Sequence, residues 1–312
     1  MKNSPVISII IPTFNRATLI SESLDSIINQ SFKDWECIIV DDHSTDETVK
    51  VIEMYLALDK RFKLFKRPNS KIKGANSCRN FGREMSSGKY IHWFDSDDIA
   101  HPKYLELSYE LIKKGDYDFC RFSRSVFWGS FHYNFAEIPN KMEERKVSSR
   151  DIEALLKNKL VFNTCNVLWK KTSLKDEFFN ENIVYADEWE YYSRLLSRKL
   201  KGISVNVELF FGRKHPASTT YEFAQNDSIR KASKIKAVKL VINNLRNTNL
   251  LSPSLNKFFI RLGFQLQDYE IIQETLTANG SRKIQKLKYK LGYTFYPIIK
   301  PFFKLKAKVK NG

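Results

Sequence analysis

The sequence predicts an α/β protein whose mostly parallel sheet holds a ligand at the carboxyl ends of its strands. Three observations predict it. Short β-branched or aromatic runs alternate with segments of helical periodicity, the pattern of strands covered on both faces by helices. Three of these runs end in polar clusters, Thr13-Phe14-Asn15-Arg16, Asp41-Asp42 and Asp95-Ser96-Asp97-Asp98, where ligands bind in open α/β sheets. Over 312 residues, 42% hydrophobic and 13% aromatic content suffices for a sizeable packed core.

The elements follow in order. Val6 to Ile11 is a β-branched run bounded by Pro12 and suits a strand buried on both faces. Ile20, Leu24, Ile27 and Ile28 recur at helical spacing. Trp35 to Val40 is the second strand. Ser44-Thr45-Asp46-Glu47 then has the form of a capping box for a helix carrying Val49 and Ile52. Phe62 to Phe65 is a third strand, a helix runs from the Gly74 loop to about Met85, and Tyr90 to Phe94 is a fourth strand. In the second half, Asp118 to Phe122, Ser125 to Phe135 and Val205 to Phe211 read as strands. Ser149 to Lys157 and Asp187 to Arg198 read as helices, and Val161 to Trp169 as strand or loop. Beyond Ala224 the pattern is helical and basic, with breaks expected at Pro253, Gly280, Pro297 and Pro301.

Charge divides the chain. The net charge is +17, yet residues 225–312 hold 18 Lys/Arg against 4 Asp/Glu. The first 224 residues are nearly neutral, so the expected division is a body over 1–224, with halves 1–100 and 101–224, and a basic helical region over 225–312. A cationic segment of this kind meets anionic surfaces. Arg282, Lys283, Lys286, Lys288 and Lys290 interleave with Ile284, Leu287, Tyr289 and Leu291, followed by Tyr293, Phe295, Tyr296, Ile298, Ile299, Phe302 and Phe303 and then by Lys304, Lys306, Lys308 and Lys310. That composition implies docking on an anionic membrane surface, through a helix broken at the two prolines. Four scattered cysteines without a C-x-x-C pair argue against a zinc site or a disulfide framework, and fit a reducing cytosol. No run approaches a membrane span. The expected location is the cytoplasm, with attachment at the inner face of the membrane through the tail.

Chemistry concentrates in five places. Three carboxylates in Asp95-Ser96-Asp97-Asp98 repel one another in low dielectric. Unless the segment is a solvated turn, a hard divalent cation, Mg²⁺ or Mn²⁺, is the natural counter-charge and would hold a diphosphate as well. Asp41-Asp42 can accept from a base N–H or a ribose hydroxyl, or act as a helix N-cap, a place Ser44 already fills. Gly74 to Asn80 opens a helix whose N-terminus attracts phosphate, and Arg79 can reach either a phosphate or the aspartates. Asp187-Glu188 either complements a helix dipole or supplies a general base. His215, beside Arg213 and Lys214, suits a diphosphate or metal contact.

Taken in order, these segments resemble the family 2 glycosyltransferases, inverting enzymes of the GT-A fold, over roughly residues 5–220. The resemblance rests on Val6 to Arg16; on Gln30-Ser31-Phe32 before Glu36 and Ile39-Val40-Asp41-Asp42; on Arg79-Asn80 with Gly82; on Gly88-Lys89-Tyr90-Ile91 leading to Phe94-Asp95-Ser96-Asp97-Asp98; and on Asp187-Glu188-Trp189 with Arg194-Leu195. It implies that Pro12, Thr13 and Asn15 line a nucleotide pocket, that Asp42 faces the nucleobase and Arg79 supports the nucleotide, and that Asp95, Ser96, Asp97 and Asp98 form the metal and ribose segment, with His215 near metal and diphosphate. The family's acidic pair is usually Glu-Asp before Trp. The pair here is Asp187-Glu188, which puts Glu188 at the base position and leaves Asp187 as the alternative.

The implied function is metal-dependent, inverting transfer of a sugar from a nucleoside-diphosphate sugar to a sugar or lipid-linked acceptor hydroxyl in polysaccharide or glycolipid synthesis. A sugar-phosphate nucleotidyltransferase would carry a Gly-rich basic loop after the first strand, where this chain has Pro12-Thr13-Phe14-Asn15-Arg16. A non-catalytic nucleic-acid binder would spread basic and exposed aromatic residues over the body, whereas the excess lies in one tail. Nucleic acid is therefore not an expected partner.

Overall fold

The computed structural model describes residues 4–215, 225 and 227–310. Contacts divide the chain into two units, Met1–Arg230 and Lys231–Gly312. The first unit begins β1 (Ile7–Thr13), α1 (Ile20–Ile28), β2 (Trp35–Asp41), α2 (Thr48–Leu58), β3 (Phe62–Lys66), α3 (Ala75–Met85) and β4 (Tyr90–Trp93). It continues through β5 (Ile99–Ala100), α4 (Tyr104–Gly115), β6 (Phe119–Trp128), β7 (Glu144–Val147), α5 (Ile152–Leu156), β8 (Val167–Lys170), α6 (Lys171–Leu174), α7 (Asp187–Ser197) and β9 (Gly202–Lys214).

The strands form one sheet in the order β3-β2-β1-β4-β8-β6-β9-β5, with β7 also on β9. β3, β2, β1 and β4 pair in parallel; β8 runs antiparallel to both β4 and β6. Every residue of β1 and β2 is buried, as expected of strands covered on both faces. The chain builds β2 and β3 on one side of β1 and then returns to lay β4 on the other. That reversal is a switch point, and it opens a crevice beyond Thr13 and Trp93. Close approach of α3 to β1 depends on Gly82, because a Cβ there would stand 2.4 Å from Ile10 Cγ2. Gly74, at φ 140°, makes the turn into α3 in a conformation that side chains resist.

Several sequence expectations are corrected. Ser44 does not cap α2. Its hydroxyl accepts from Asn15 N (3.0 Å), and Asp46 Oδ1 takes up Thr48 N (3.1 Å) instead. The expected strand over 125–135 ends at Trp128, because Gly129 turns the chain at φ 70°. The aromatic alternation that suggested a strand packs as a cluster: Phe131 lies 4.9 Å from Phe127 and 5.1 Å from Phe211. The helix expected over 149–157 is a 3₁₀ turn followed by the short α5. The Val205–Phe211 strand lengthens to the thirteen residues of β9.

The second unit contains most of α8 (Ser228–Asn247), then α9 (Pro253–Leu266), α10 (Tyr269–Ala278) and α11 (Lys283–Lys310). Ser252 caps α9, with Pro253 at its start, where a missing N–H costs nothing. Asp268 caps α10 by accepting from Ile271 N (2.9 Å). Pro297 and Pro301 do not break α11, which is helical throughout. Each proline removes one backbone donor, and the helical residues on both sides carry the element across it. The side chains of 297–310, including those of Phe302, Phe303 and the closing lysines, lie outside the described part.

Candidate active site

A cavity of about 520 Å³ opens at the switch point. Pro12, Thr13 and Phe14 reach it from the end of β1, Asp42 from the end of β2, Ala75, Asn76, Cys78 and Arg79 from the start of α3, and Asp95 to Asp98 from the end of β4. Thr13 is buried, and its Oγ1 has no hydrogen-bond partner among the described residues, so a bound ligand can take it up. Asp42 is 5% exposed and ion-paired to Arg67 Nε. Asp41 folds back to accept from Ser44 N (3.1 Å), so it serves the turn. Asn15 adopts a left-handed conformation, φ 51°. Its Oδ1 accepts from Thr45 N (2.8 Å), joining the β1 and β2 loops.

The aspartates each meet a different partner. Asp95 pairs with Arg79 Nη2 (2.9 Å). Asp97 pairs with His215 Nε2 (3.0 Å), and Arg16 Nε lies 3.6 Å away. Asp98 is buried and accepts from Arg213 N (2.8 Å). Burial, and then the charges of Asp97 and Asp95, push the Asp98 carboxyl well above its ordinary value. Ser96 is buried at the cavity wall.

On the opposite wall, Arg79 Nη1 also reaches Asp187 Oδ2 (3.2 Å), so one guanidinium bridges Asp95 and Asp187. Burial works against its charge, but Asp95, Asp187 and Glu188 outweigh burial and hold it protonated. Glu188, in the first turn of α7, accepts from Thr164 N and from Asn163 Nδ2 (3.1 Å). Burial, then Asp187 and Asp95, push its carboxyl up to about 7. A carboxylate poised there at a cavity wall has the properties of a general base near neutral pH.

Residues 8–178 match the Glycosyl transferase family 2 model. The chain belongs to that family. It is 37% identical over 125 residues to an uncharacterized glycosyltransferase of Haemophilus influenzae, a match covering 38% of this chain and 49% of that protein. The chain thus spans about half the length of that relative, and less of the next two, with 36% and 32% of theirs. A longer match, 27% identity over 253 residues, covers 80% of this chain and 75% of the GalNAc(5)-diNAcBac-PP-undecaprenol beta-1,3-glucosyltransferase of Campylobacter jejuni. The fold is that of Staphylococcus aureus TarS 1–349, solved with UDP (TM-score 0.58, 16% identity, 93% of this chain and 91% of that one).

Within this family member, one cavity brings together Pro12, Thr13, Asp42, Arg79, Asp95, Ser96, Asp97, Asp98, Asp187, Glu188 and His215. Asn15 is not among its lining residues and acts on the loop beside it. Sequence reasoning missed the turn Asn163-Thr164-Cys165. It holds both oxygens of Glu188, Thr164 Oγ1 lies 3.4 Å from Asp95 Oδ2, and Cys165 Sγ lies 3.5 Å from Asp98 Oδ2. Short polar residues in an irregular segment carry no distinctive periodicity, so nothing in their pattern marks them.

Proposed function

We propose that this chain transfers a sugar from a nucleoside-diphosphate sugar to an acceptor hydroxyl, with inversion, and that the cavity at the β1/β4 switch point is where it does so. One observation carries the reading: Glu188, pushed up to about 7, shares a cavity with Asp95-Ser96-Asp97-Asp98, and Arg79 ties Asp95 to Asp187, the neighbour of Glu188. Thr13 and Asp42 suit the nucleoside, Arg79 and Ser96 the ribose and phosphate side. Glu188 accepts the acceptor hydroxyl's proton as that oxygen attacks the anomeric carbon, and the nucleoside diphosphate leaves from the opposite face. Asp187 keeps Arg79 in place and is the alternative base.

The donor set fits a divalent cation. Asp95, Asp98 and Cys165 offer ligand atoms within 4.8 Å of one another. Burial pushes the Cys165 thiol well up, so it stays protonated and soft, and the carboxylates are the hard donors. Asp98, with Asp97 and its partner His215 (3.0 Å) beside it, would hold Mn²⁺ or Mg²⁺. Such an ion supplies positive charge that stabilises a leaving diphosphate.

The acceptor reading is lipid-linked glycan, following the Campylobacter relative's undecaprenol-linked acceptor. The tail supports it. Among the described residues no helix is long and apolar enough to cross a membrane, but α11 exposes Ile284, Leu287, Leu291 and Phe295 along one stripe. Lys283, Lys288 and Lys290 are exposed beside it. Tyr293 and Tyr296 turn the other way, onto Phe264 at 5.7 and 4.9 Å. An apolar stripe flanked by lysines suits the surface of an anionic bilayer.

A thermal-shift screen tests the donor reading, since a ligand selective for the native state raises the melting temperature. UDP- or GDP-sugars should stabilise the protein, more so with Mn²⁺. No shift with any nucleotide sugar, with or without metal, overturns the reading.

A further inference from the structure

Beyond the donor site, the cavity has a floor made by β6 and β9. The two strands pair in parallel, with register shifts on either side of Ser123; such bulges re-aim the strand beyond them. Past the bulge the partners are Arg124 with Phe210, Val126 with Gly212, and Trp128 with Lys214. Partners in register share one face of a sheet. Five of these six residues line the cavity. Gly212 presents no side chain there, and the Phe210 ring leans over it, 3.5 Å from where a Cβ would stand. Trp128 continues the row past the lining residues, paired with Lys214.

Trp128 is unusual in this chain. Trp35, Trp93 and Trp169 are buried, Trp189 is half-buried with Nε1 donating to Leu156 O (3.1 Å), and Trp128 is 68% exposed. The alternate residues of the strand are packed: Phe127 lies under Arg213 (4.6 Å) and against Phe131. The exposed face is therefore set by the strand's pleat. Among the described residues, the side chains of Arg124 and Lys214 make no ion pair, while Arg16, Arg79 and Arg213 are all held by carboxylates.

We propose that this face is the acceptor subsite, and that it takes a sugar ring bearing an anionic group, phosphate or carboxylate. The indole of Trp128 offers a flat apolar surface with one polar edge, matched to the C–H face of a pyranose. Arg124, two pairs along the same floor, supplies a planar fork of donors for an oxyanion. Lys214 adds a second cation on the neighbouring strand. The inference rests on the glycosyltransferase reading and deepens it by naming the acceptor's chemistry.

The test is saturation-transfer NMR on the full chain, with UDP or GDP and Mg²⁺ present, using three probes: N-acetylglucosamine 1-phosphate, glucuronic acid, and methyl N-acetylglucosaminide. One or both anionic sugars should bind more tightly than the neutral glycoside, and which one does identifies the anion. Trp128→Ala should weaken that binding about tenfold, roughly one aromatic contact, and Trp128→Phe should keep most of it. Arg124→Gln should bring the anionic sugar down to the neutral glycoside's level without changing nucleoside diphosphate affinity. Both positions are exposed, so the variants should fold, which their unchanged melting temperatures would verify. Equal binding of charged and neutral sugars, or full affinity in Trp128→Ala, overturns the acceptor subsite while nucleotide binding leaves the donor reading standing. Failure of both nucleoside diphosphates to bind overturns the donor reading itself.

Discussion

Glu188 concentrates the residue-scale physics. Its carboxyl is raised because burial penalises its charge and because Asp187 and Asp95 lie close. A base must be ionised to accept a proton, so kcat/KM should rise with pH along a limb near 7. Bound Mn²⁺ or Mg²⁺, by offsetting Asp95, should move that limb toward acid. A limb near 4.5, or none, would remove Glu188 from the role. The same shift has a sign for stability. A carboxyl raised on folding favours the folded state at low pH, and that contribution is lost as pH rises through about 7. Glu188→Gln should therefore raise the melting temperature relative to the native chain at pH 8, with little difference at pH 4. Circular dichroism melts at both values check it, and the reverse order would contradict the burial argument.

Strand ends and one close helix contact position the site at the scale of elements. α3 carries Arg79 and lies against β1 at Gly82, where a methyl group would meet Ile10. Gly82→Ala should cost about 1–3 kcal/mol by overpacking, partly offset by alanine's helix preference of about 1 kcal/mol. Urea unfolding measures it, and a stabilised variant would contradict the contact. Much of this half was legible in the sequence. The runs Val6 to Ile11, Trp35 to Val40 and Tyr90 to Phe94 marked the strands, and the polar residues past them marked the cavity wall. The second half was less legible for physical reasons. Phe131, Tyr133 and Phe135 alternate like a strand but pack as a ring cluster, Ser44 bonds across to Asn15 rather than capping its own helix, and Thr164 reaches Glu188 through a backbone N–H. Tertiary partners decide all three, and none leaves a local pattern.

The uneven charge and the exposed face of α11 matter at the scale of the whole molecule. If the tail meets an anionic bilayer, the full chain should sediment with anionic vesicles at low salt and release as salt rises, because Lys and Arg near such a surface contribute about 1 kcal/mol each and are screened within a Debye length. Leu287→Glu with Leu291→Glu should abolish sedimentation without lowering the melting temperature, since both side chains are exposed. Sedimentation that survives this double change would leave the stripe without a membrane role.

The central claim is that one cavity binds the donor through its aspartates and activates the acceptor through Glu188. It is tested most directly by measuring UDP and GDP affinity by calorimetry, together with nucleotide-sugar hydrolysis by water, in Asp97→Asn and Glu188→Gln. Asp97→Asn should lose metal-dependent nucleotide affinity. Glu188→Gln should keep that affinity while hydrolysis falls roughly 10²–10⁴-fold, the range for losing an acid–base group. Undiminished hydrolysis in Glu188→Gln, or unchanged metal-dependent affinity in Asp97→Asn, would contradict it.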